Sequence, residues 1–445
     1  MTTRLRGLRR YPNALLGLEI SSLTRYYDRV VQYAPARHDD GLLLDLIACP
    51  EKASVKAGTP LPDMTGERDR RSAVLLNGTL NHSTDIQAAL AEIKSRMSST
   101  SRVIAVMYNP YFRSIYRLAQ RLGLREGEVP TTFVTSTDLT NIARLSGFRL
   151  VRTRSVVYMP FRLAGIGTLI NAFMPVVPLL RHLAFTTVVV LAPITDEVQE
   201  ASITVVVPAR NERGNIQPAL DALRAVRHEL QGLEVIFVEG HSTDGTWEEI
   251  ERLVPEYEGY FKIRAFRQEG KGKGDAVRLG FAHASGDLLT ILDADLTMPP
   301  ASLGRFYDAY RQGHGEFVNG SRLVYALEND AMRFLNRLGN VIFAKALSRV
   351  LSVRLGDSLC GTKLLARHDY ARFTAWRRDF GDFDPFGDFE LLFPAAVLGL
   401  TVVDVPIRYR ARSYGTTNIS RFRHGWMLLK MTMVGFFKVR LGRVS

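Results

Sequence analysis

Short apolar runs recur along this chain, and most lead through a polar loop into apolar residues at helical spacing. In the second half, residues 203–207 form a β-branched run ending at Pro208, followed by ARNERGN and then Ile216, Leu220 and Leu223. Residues 233–238 repeat the device and lead through EGHSTDGT to a helix from Trp247. Residues 263–266 open into RQEGKGKGDAVRLGF, and residues 288–292 make a fourth run. Such runs fit strands buried on both faces of a parallel sheet. Strand, polar loop and helix in succession predict a doubly wound nucleotide-binding arrangement.

The first half carries a looser version of the same pattern. Residues 14–20 (ALLGLEI) read as a short strand with Glu19 near its end, 42–47 as a second apolar run, and 74–76 as a strand opening into NGTLNHSTD. Ile86, Leu90, Ile93 and Met97 have helical spacing, and 102–107 is another strand. Ser136 is expected to cap a helix through Leu145 that Gly147 ends; extended structure resumes at Phe148, with a final strand at 188–191. The fold class is therefore α/β with two Rossmann-like domains, 1–195 and 196–420. Residues 421–445 form an amphipathic basic tail. Its Trp426, Met427, Leu428, Met431 and Phe437 lie among Arg421, Arg423, Lys430, Lys438 and Arg440. Such a tail suits an anionic membrane interface or a helix packed on the domain.

Composition narrows the setting. A length of 445 residues suits two or three domains, and 46% hydrophobic with 23% charged residues marks a globular chain. Two cysteines, Cys49 and Cys360, make neither a disulfide framework nor a zinc cluster, so a reducing cytoplasmic setting is expected, with peripheral contact to the inner face of a membrane. The formal charge of +13 points to acidic partners. No aromatic-interleaved basic repeat is present, so nucleic acid is not expected among them. The start, MTTRLRGLRRYPN, lacks the apolar core of a signal peptide. The most lipid-like stretch, 164–194, is broken by Pro175, Pro178, Arg181 and His182, which argues against a spanning helix.

The candidate chemistry centres on Asp293 and Asp295, directly after the fourth run. In an extended backbone, residues two apart point to one side, so both carboxylates can face one point. They fall at the carboxyl end of a strand, where open α/β sheets bind ligands. Two carboxylates suit a hard divalent cation, Mg2+ or Mn2+, set against the diphosphate of a nucleotide-sugar. Glu239 can accept from a base N–H, and Lys271 and Lys273 can meet phosphate. Gly270, Gly272 and Gly274 allow close backbone approach.

Taken together, VVVPARNERGNI, FVEGHSTDGT, GKGKGDAVRLG, ASGDLLTILDADLTMPP and NGSR resemble the family-two glycosyltransferases of the GT-A fold. The resemblance implies that Pro208, Ala209, Asn211 and Glu212 line the nucleotide pocket with Glu239 at the base. It places Lys271, Gly272 and Lys273 on the phosphates, and Asp293 and Asp295 on the metal and sugar diphosphate. Glu239-Gly240 stands where the family usually has Asp-Asp, which leaves UDP and GDP both open. DADLTMPP is similar to the version in polyprenyl-phosphate mannosyl and glucosyl transferases. Thr297 stands at that subgroup's third metal-side position, usually Gln, and would act through water. Arg322 and Arg333 resemble its acceptor-phosphate arginines. GDSLCGTK (356–363) and FGDFEL (386–391) match acceptor-side positions, with Asp388 or Glu390 as general base if a sugar hydroxyl attacks. A phosphate acceptor needs no base, because its second pKa lies near ~6.

The order VLLNGTLNHSTDIQAAL, SRVIAVMYNPYF, TTFVTSTDLTNIARLSGFRLV resembles the later half of class I S-adenosylmethionine methyltransferases, with Asn81 and His82 at that family's Asn-His step. The Gly-rich turn this family needs is missing. LLLDLIACPEKA carries Pro50 where the turn should be; alternatively ALLGLEIS is the second strand, with Glu19 on the ribose. The first domain is thus expected to be an incomplete methyltransferase-like sheet kept for packing, acceptor binding or assembly, with S-adenosylmethionine unlikely as a ligand. The whole is expected to be an inverting glycosyltransferase acting on a polyprenyl phosphate or a lipid-linked or surface glycan. The alternatives are a bifunctional methyltransferase and a non-catalytic nucleotide-binding scaffold.

Overall fold

The computed structural model describes residues 2–36, 39–67, 69–122, 130–177, 180–195, 200–325, 334–381, 387–412, 414 and 421–440. The chain divides into two compact units. The first holds Met1–Thr195 with Val397–Gly399 and residues from Phe437; the second holds Asp196–Ala396 and Leu400–Phe436.

In the first unit six strands form one sheet: β1 (Arg29–Tyr33), β2 (Glu51–Val55), β3 (Ser72–Asn77), β4 (Arg102–Tyr108), β5 (Phe148–Val157) and β6 (Thr186–Pro193), in the order β2-β1-β3-β4-β6-β5. The first four run parallel, and β6 runs antiparallel to both its neighbours. Alternate residues feed separate cores on the two faces: Val74, Leu76, Val103 and Ala105 on one, Ala73, Leu75, Ile104 and Val106 on the other.

Three expectations for this unit change. Residues 14–20 are not a strand; they lie in the helix Thr2–Thr24, where Leu16, Ile20 and Leu23 are buried at helical spacing and Leu18 is exposed. Residues 42–47 likewise hold a helix, Leu42–Leu46, while the two strands flanking it were not anticipated. The helix Ser136–Leu145 is capped by Thr135, which forms a capping box with Asp138, rather than by Ser136.

The second unit is built on seven strands: β7 (Ile203–Ala209), β8 (Glu234–Glu239), β9 (Lys262–Arg267), β10 (Leu288–Ile291), β11 (Phe317–Ser321), β12 (Lys363–Ala366) and β13 (Val402–Pro406). Their order is β13-β11-β12-β10-β7-β8-β9; β12 alone is antiparallel to its neighbours. Helices Arg213–Val226 and Thr246–Tyr257 follow β7 and β8, and their Ile216, Leu220, Leu223, Ile250 and Leu253 pack with Val205, Val207, Val235 and Phe237 in one core. The consequence for function lies in the order. From β7 the chain goes outward through β8 and β9, then returns to place β10 on the other side of β7. The sheet therefore has its switch point between β7 and β10, where loops diverge and leave a crevice. Among the described residues no helix is long and apolar enough to cross a membrane.

Candidate active site

The loops leaving β7, β8, β9 and β10 all emerge at this crevice and are bonded to one another. After β7, Asn211 takes a left-handed backbone conformation (φ +56°) that asparagine tolerates; its N–H donates to Ser242 Oγ and its Oδ1 accepts from the N–H of Thr243. Asp244 accepts from the Arg213 N–H and from Thr246, joining the first and second loops. His241 Nε2 lies 3.0 Å from the Gly270 carbonyl and brings in the third loop. β7 runs on through Pro208 to Ala209, one residue past the expected end, and the Ala209 carbonyl accepts from the Gly240 N–H. Glu239, expected at the base, is buried and uses Oε1 to accept from the Ser242 N–H at 2.5 Å, so this oxygen closes its own loop.

The acidic pair arises differently from the expected extended geometry. Strand β10 stops at Ile291, and the Leu296 N–H returns to the Asp293 carbonyl, so Asp293 and Asp295 sit in a turn beyond the strand. Each carboxylate faces its own cation. Lys273 Nζ lies 2.5 Å from Asp293 Oδ1, and Arg412 lies 2.7 Å from Asp295 Oδ2 and 3.2 Å from Glu212 Oε1. Desolvation opposes the charge on Asp293, yet Lys273 outweighs it and holds the carboxyl below its ordinary value. Desolvation likewise opposes the Lys273 ammonium, which Asp293 and then Asp388 keep above the ordinary lysine value. Burial raises the Glu212 carboxyl; Asn215 and Arg412 offset this only in part. Lys271 is exposed, so of the two loop lysines only Lys273 turns to the acids.

Thr297 has a partner of its own in this turn. Its N–H and hydroxyl both donate to Asp295 Oδ1, at 3.1 and 2.8 Å, so it braces the carboxylate instead of presenting a ligand. Among the described residues no group of three or more His, Cys, Asp or Glu side chains is arranged around a metal position. The residues present still fit a hard divalent cation. Asp293 and Asp295 offer carboxylate oxygens, and the missing side chain of Gly361 leaves a cradle there: a Cβ would lie 2.3 Å from Asp293 Oδ2 and crowd Lys273 Nζ.

The acceptor-side residues are already paired. Arg322, expected to meet an acceptor phosphate, forks onto buried Asp357 at 2.7 and 2.9 Å. Asp388 Oδ1 lies 2.6 Å from the ammonium of Lys363, which is fully buried. Glu390 is held by Arg278 through both oxygens at 3.0 Å. Arg333 lies outside the described residues. In the first unit, Asn81 is wholly buried and structural: Oδ1 accepts from the Tyr108 N–H and Nδ2 donates to the Thr132 carbonyl. His82 lines a cavity of about 830 Å³ with Tyr33, Pro35, Gly58 and Glu92. Glu19, the alternative ribose ligand, is instead paired with Arg152 and Arg154.

Sequence reading missed Arg412, whereas Gly361 and Lys363 fall in the GDSLCGTK stretch it placed on the acceptor side without giving either a role. Arg412 lies far along the chain from Asp295 and in no motif, so only the return of the chain after β13 reveals it.

An open α/β sheet with paired acids and cations at its switch point is the arrangement at which sheets of this class bind ligands. The family model for glycosyl transferase family 2 matches residues 204–372. A dolichyl-phosphate hexose transferase of Haloferax volcanii is 30% identical over 192 residues, 43% of this chain and 76% of that protein. The dolichol-phosphate mannosyltransferase of Pyrococcus furiosus is 27% identical over 246 residues, 51% of this chain and 64% of its own. An undecaprenyl-phosphate 4-deoxy-4-formamido-L-arabinose transferase of Aeromonas hydrophila is 29% identical, over 37% and 49%. The chain thus spans between about half and two thirds of the latter two relatives. Among solved structures, glucosyl-3-phosphoglycerate synthase from Mycobacterium tuberculosis, in complex with Mn2+, UDP and glucosyl-3-phosphoglycerate, aligns with 54% of this chain and 80% of its own at 20% identity and a TM-score of 0.39. The chain belongs to glycosyl transferase family 2.

Proposed function

We propose that the second unit transfers a hexose from a nucleotide-sugar, UDP- or GDP-linked, to a polyprenyl phosphate, with inversion at the anomeric carbon. One observation carries the reading: Asp293, Asp295, Lys273 and Arg412 converge at the sheet's switch point, so acids and cations stand together where a diphosphate would leave. Lys273 and Arg412 can each turn from a carboxylate to a phosphate oxygen, and Asp293 and Asp295 are then released to hold a divalent cation. When bound there, such a cation supplies charge neutralisation of the departing nucleoside diphosphate. Pro208, Ala209, Asn211, Glu212 and Glu239 would frame the nucleotide. Gly272 admits the backbone beside the phosphates.

The pairing of Asp388 with Lys363 and of Glu390 with Arg278 favours a phosphate acceptor over a sugar hydroxyl. A hydroxyl must lose its proton as it attacks, and both candidate bases are engaged by cations. A phosphate monoester is already ionised. The similarity to the Haloferax dolichyl-phosphate hexose transferase and the Pyrococcus dolichol-phosphate mannosyltransferase supports this acceptor class. In this reading the first domain ends at residue 195, the transferase domain runs from 196 to 420, and a basic tail follows from 421. In the tail helix Arg421–Gly435, Leu428 and Met431 are buried while Trp426, Leu429 and Met433 are exposed, an arrangement suited to an interfacial helix. The first unit is proposed to have lost donor binding, since Ala34-Pro35-Ala36, without glycine, follows β1.

The test is transfer from UDP- and GDP-sugars to polyprenyl phosphate and to a free sugar, with and without Mn2+, reading the product's anomeric configuration. Metal-dependent transfer to the lipid phosphate alone is expected. Transfer only to the sugar would overturn the acceptor, and no turnover with any pair would return the unit to a non-catalytic role.

A further inference from the structure

The first unit carries an apolar face on a segment whose polarity is inside out. After β5 the chain enters a turn and the helix Ile166–Phe173. Phe161, Leu163, Ile166, Leu169, Phe173 and Leu183 are between 40% and 60% exposed. Of the two polar side chains of this helix, Thr168 is exposed and meets the Tyr11 hydroxyl at 3.3 Å, while Asn171 points inward. Asn171 Oδ1 accepts from the N–H groups of Tyr158 and Met159, at 2.7 and 3.0 Å; its Nδ2 donates to the Met159 carbonyl and the Tyr11 hydroxyl. The large apolar side chains of this helix face outward, where a helix facing water carries mostly polar ones. The backbone is built to hold this arrangement. Leu163 and Ala164 take φ of +44° and +51°, values that side-chain-bearing residues rarely adopt, and this turn presents Leu163 outward. Gly167 lets the helix settle on the turn, since a Cβ there would lie 1.8 Å from the Phe161 carbonyl oxygen.

Charge identifies what covers this face. From residue 139 to residue 195 the sequence holds no Asp or Glu; of its arginines Arg162 is exposed beside this face, while Arg152 and Arg154 are buried and paired with Glu19. Beside the apolar face, Arg10, Tyr11, Ala14, Leu46, Phe161 and Arg162 line a cavity of about 630 Å³, with the Arg162 guanidinium 5.3 Å from the Tyr11 ring centre. Two exposed arginines among the mostly apolar lining of this hollow match a phosphate joined to hydrocarbon.

We propose that this face of the first unit docks on an anionic lipid bilayer. Ile166, Leu169 and their neighbours enter the acyl boundary, and the Arg10–Arg162 cavity receives a lipid headgroup phosphate. A bilayer accepts an apolar helix lying in its plane and rewards cations at the headgroup level. The proposal concerns the first unit alone and stands or falls separately from the sugar-transfer reading.

The experiment is flotation of the full chain with phosphatidylglycerol-containing vesicles and with pure phosphatidylcholine vesicles. The wild-type chain is expected to float with the anionic vesicles. Ile166→Asp combined with Leu169→Asp should lower the bound fraction by about tenfold or more, since both side chains lose their burial in lipid. Arg10→Glu with Arg162→Glu should remove the preference for anionic vesicles, and added salt should weaken wild-type binding. As a second readout that does not require a charged residue at the face, Leu169→Cys labelled with an environment-sensitive dye should shift to the blue on anionic vesicles. The labelled wild-type chain reports the background from Cys49. Undiminished flotation of folded Asp variants, loss of flotation only on Trp426→Ser with Leu429→Ser in the tail, or self-association through this face without a vesicle effect would each overturn the proposal.

Discussion

Asp295 shows how much of the site is decided by single contacts. Its Oδ1 accepts from Thr297 and its Oδ2 faces Arg412, so both oxygens are held before any ligand arrives. In the proposed reaction Arg412 turns to a phosphate oxygen, and the two Thr297 contacts keep the carboxylate in place for the cation. Asp295→Asn keeps the shape and the Thr297 contacts but removes the charge. Transfer is expected to fall by about a hundredfold or more, with an unchanged circular dichroism spectrum and melting profile. Turnover within a few-fold of wild type would remove Asp295 from the mechanism. Glu212 belongs to the same unit of charge, since it shares Arg412 with Asp295 and sits above its ordinary pKa through burial.

At the scale of elements, the carboxyl ends of the strands carry the chemistry and the amino ends carry the ties. Glu234 opens β8 and joins four pieces of structure: Oε2 accepts from Thr204 Oγ1 of β7 at 2.6 Å and from the Ser285 N–H at 2.8 Å, while Oε1 meets Lys262 and Arg264 of β9. Burial alone would raise its carboxyl, but these partners, Thr204 first, draw the pKa from 4.5 down to about 2. A carboxyl depressed in the folded state stabilises the fold at pH values above its ordinary pKa and loses that contribution as pH falls through 4.5 toward 2. Glu234→Gln should therefore cost about 1–3 kcal/mol at neutral pH. The gap from wild type, read by urea unfolding, should narrow as the pH is lowered through that window. A gap independent of pH would mean that shape, not charge, supplies the tie.

At the scale of the molecule, each unit has its own sheet and its own buried cores, and the proposed donor site lies within the second alone. A ligand that binds only the folded second unit raises that unit's stability by mass action, about 2.7 kcal/mol at a hundred times its Kd. Scanning calorimetry of the whole chain with nucleoside diphosphate and Mn2+ should therefore move the transition of the second unit and leave that of the first in place. A shift confined to the first unit would overturn the assignment of the site.

The second unit was legible before any coordinates because its information is local. Runs such as 203–207 and 288–292 are apolar throughout, strands buried on both faces demand that, and each loop motif follows its strand directly. The first unit was less legible for a physical reason. Leu16, Ile20 and Leu23 lie in a stretch apolar enough to pass for a strand, and only their burial on one helix face settles the period. β1 and β2 are short, and β2 is half exposed, so neither gives a strong pattern. Side-chain type by itself singled out Asp293, Asp295 and Lys273 as candidates to meet a metal and phosphate, and the structure brings Lys273 against Asp293. Tertiary structure alone decided that Arg412 bridges Glu212 and Asp295, that Arg322 is committed to Asp357, and that Thr297 braces a carboxylate. Pairing of charges depends on where distant strands return, and residue spacing within a motif carries no record of that.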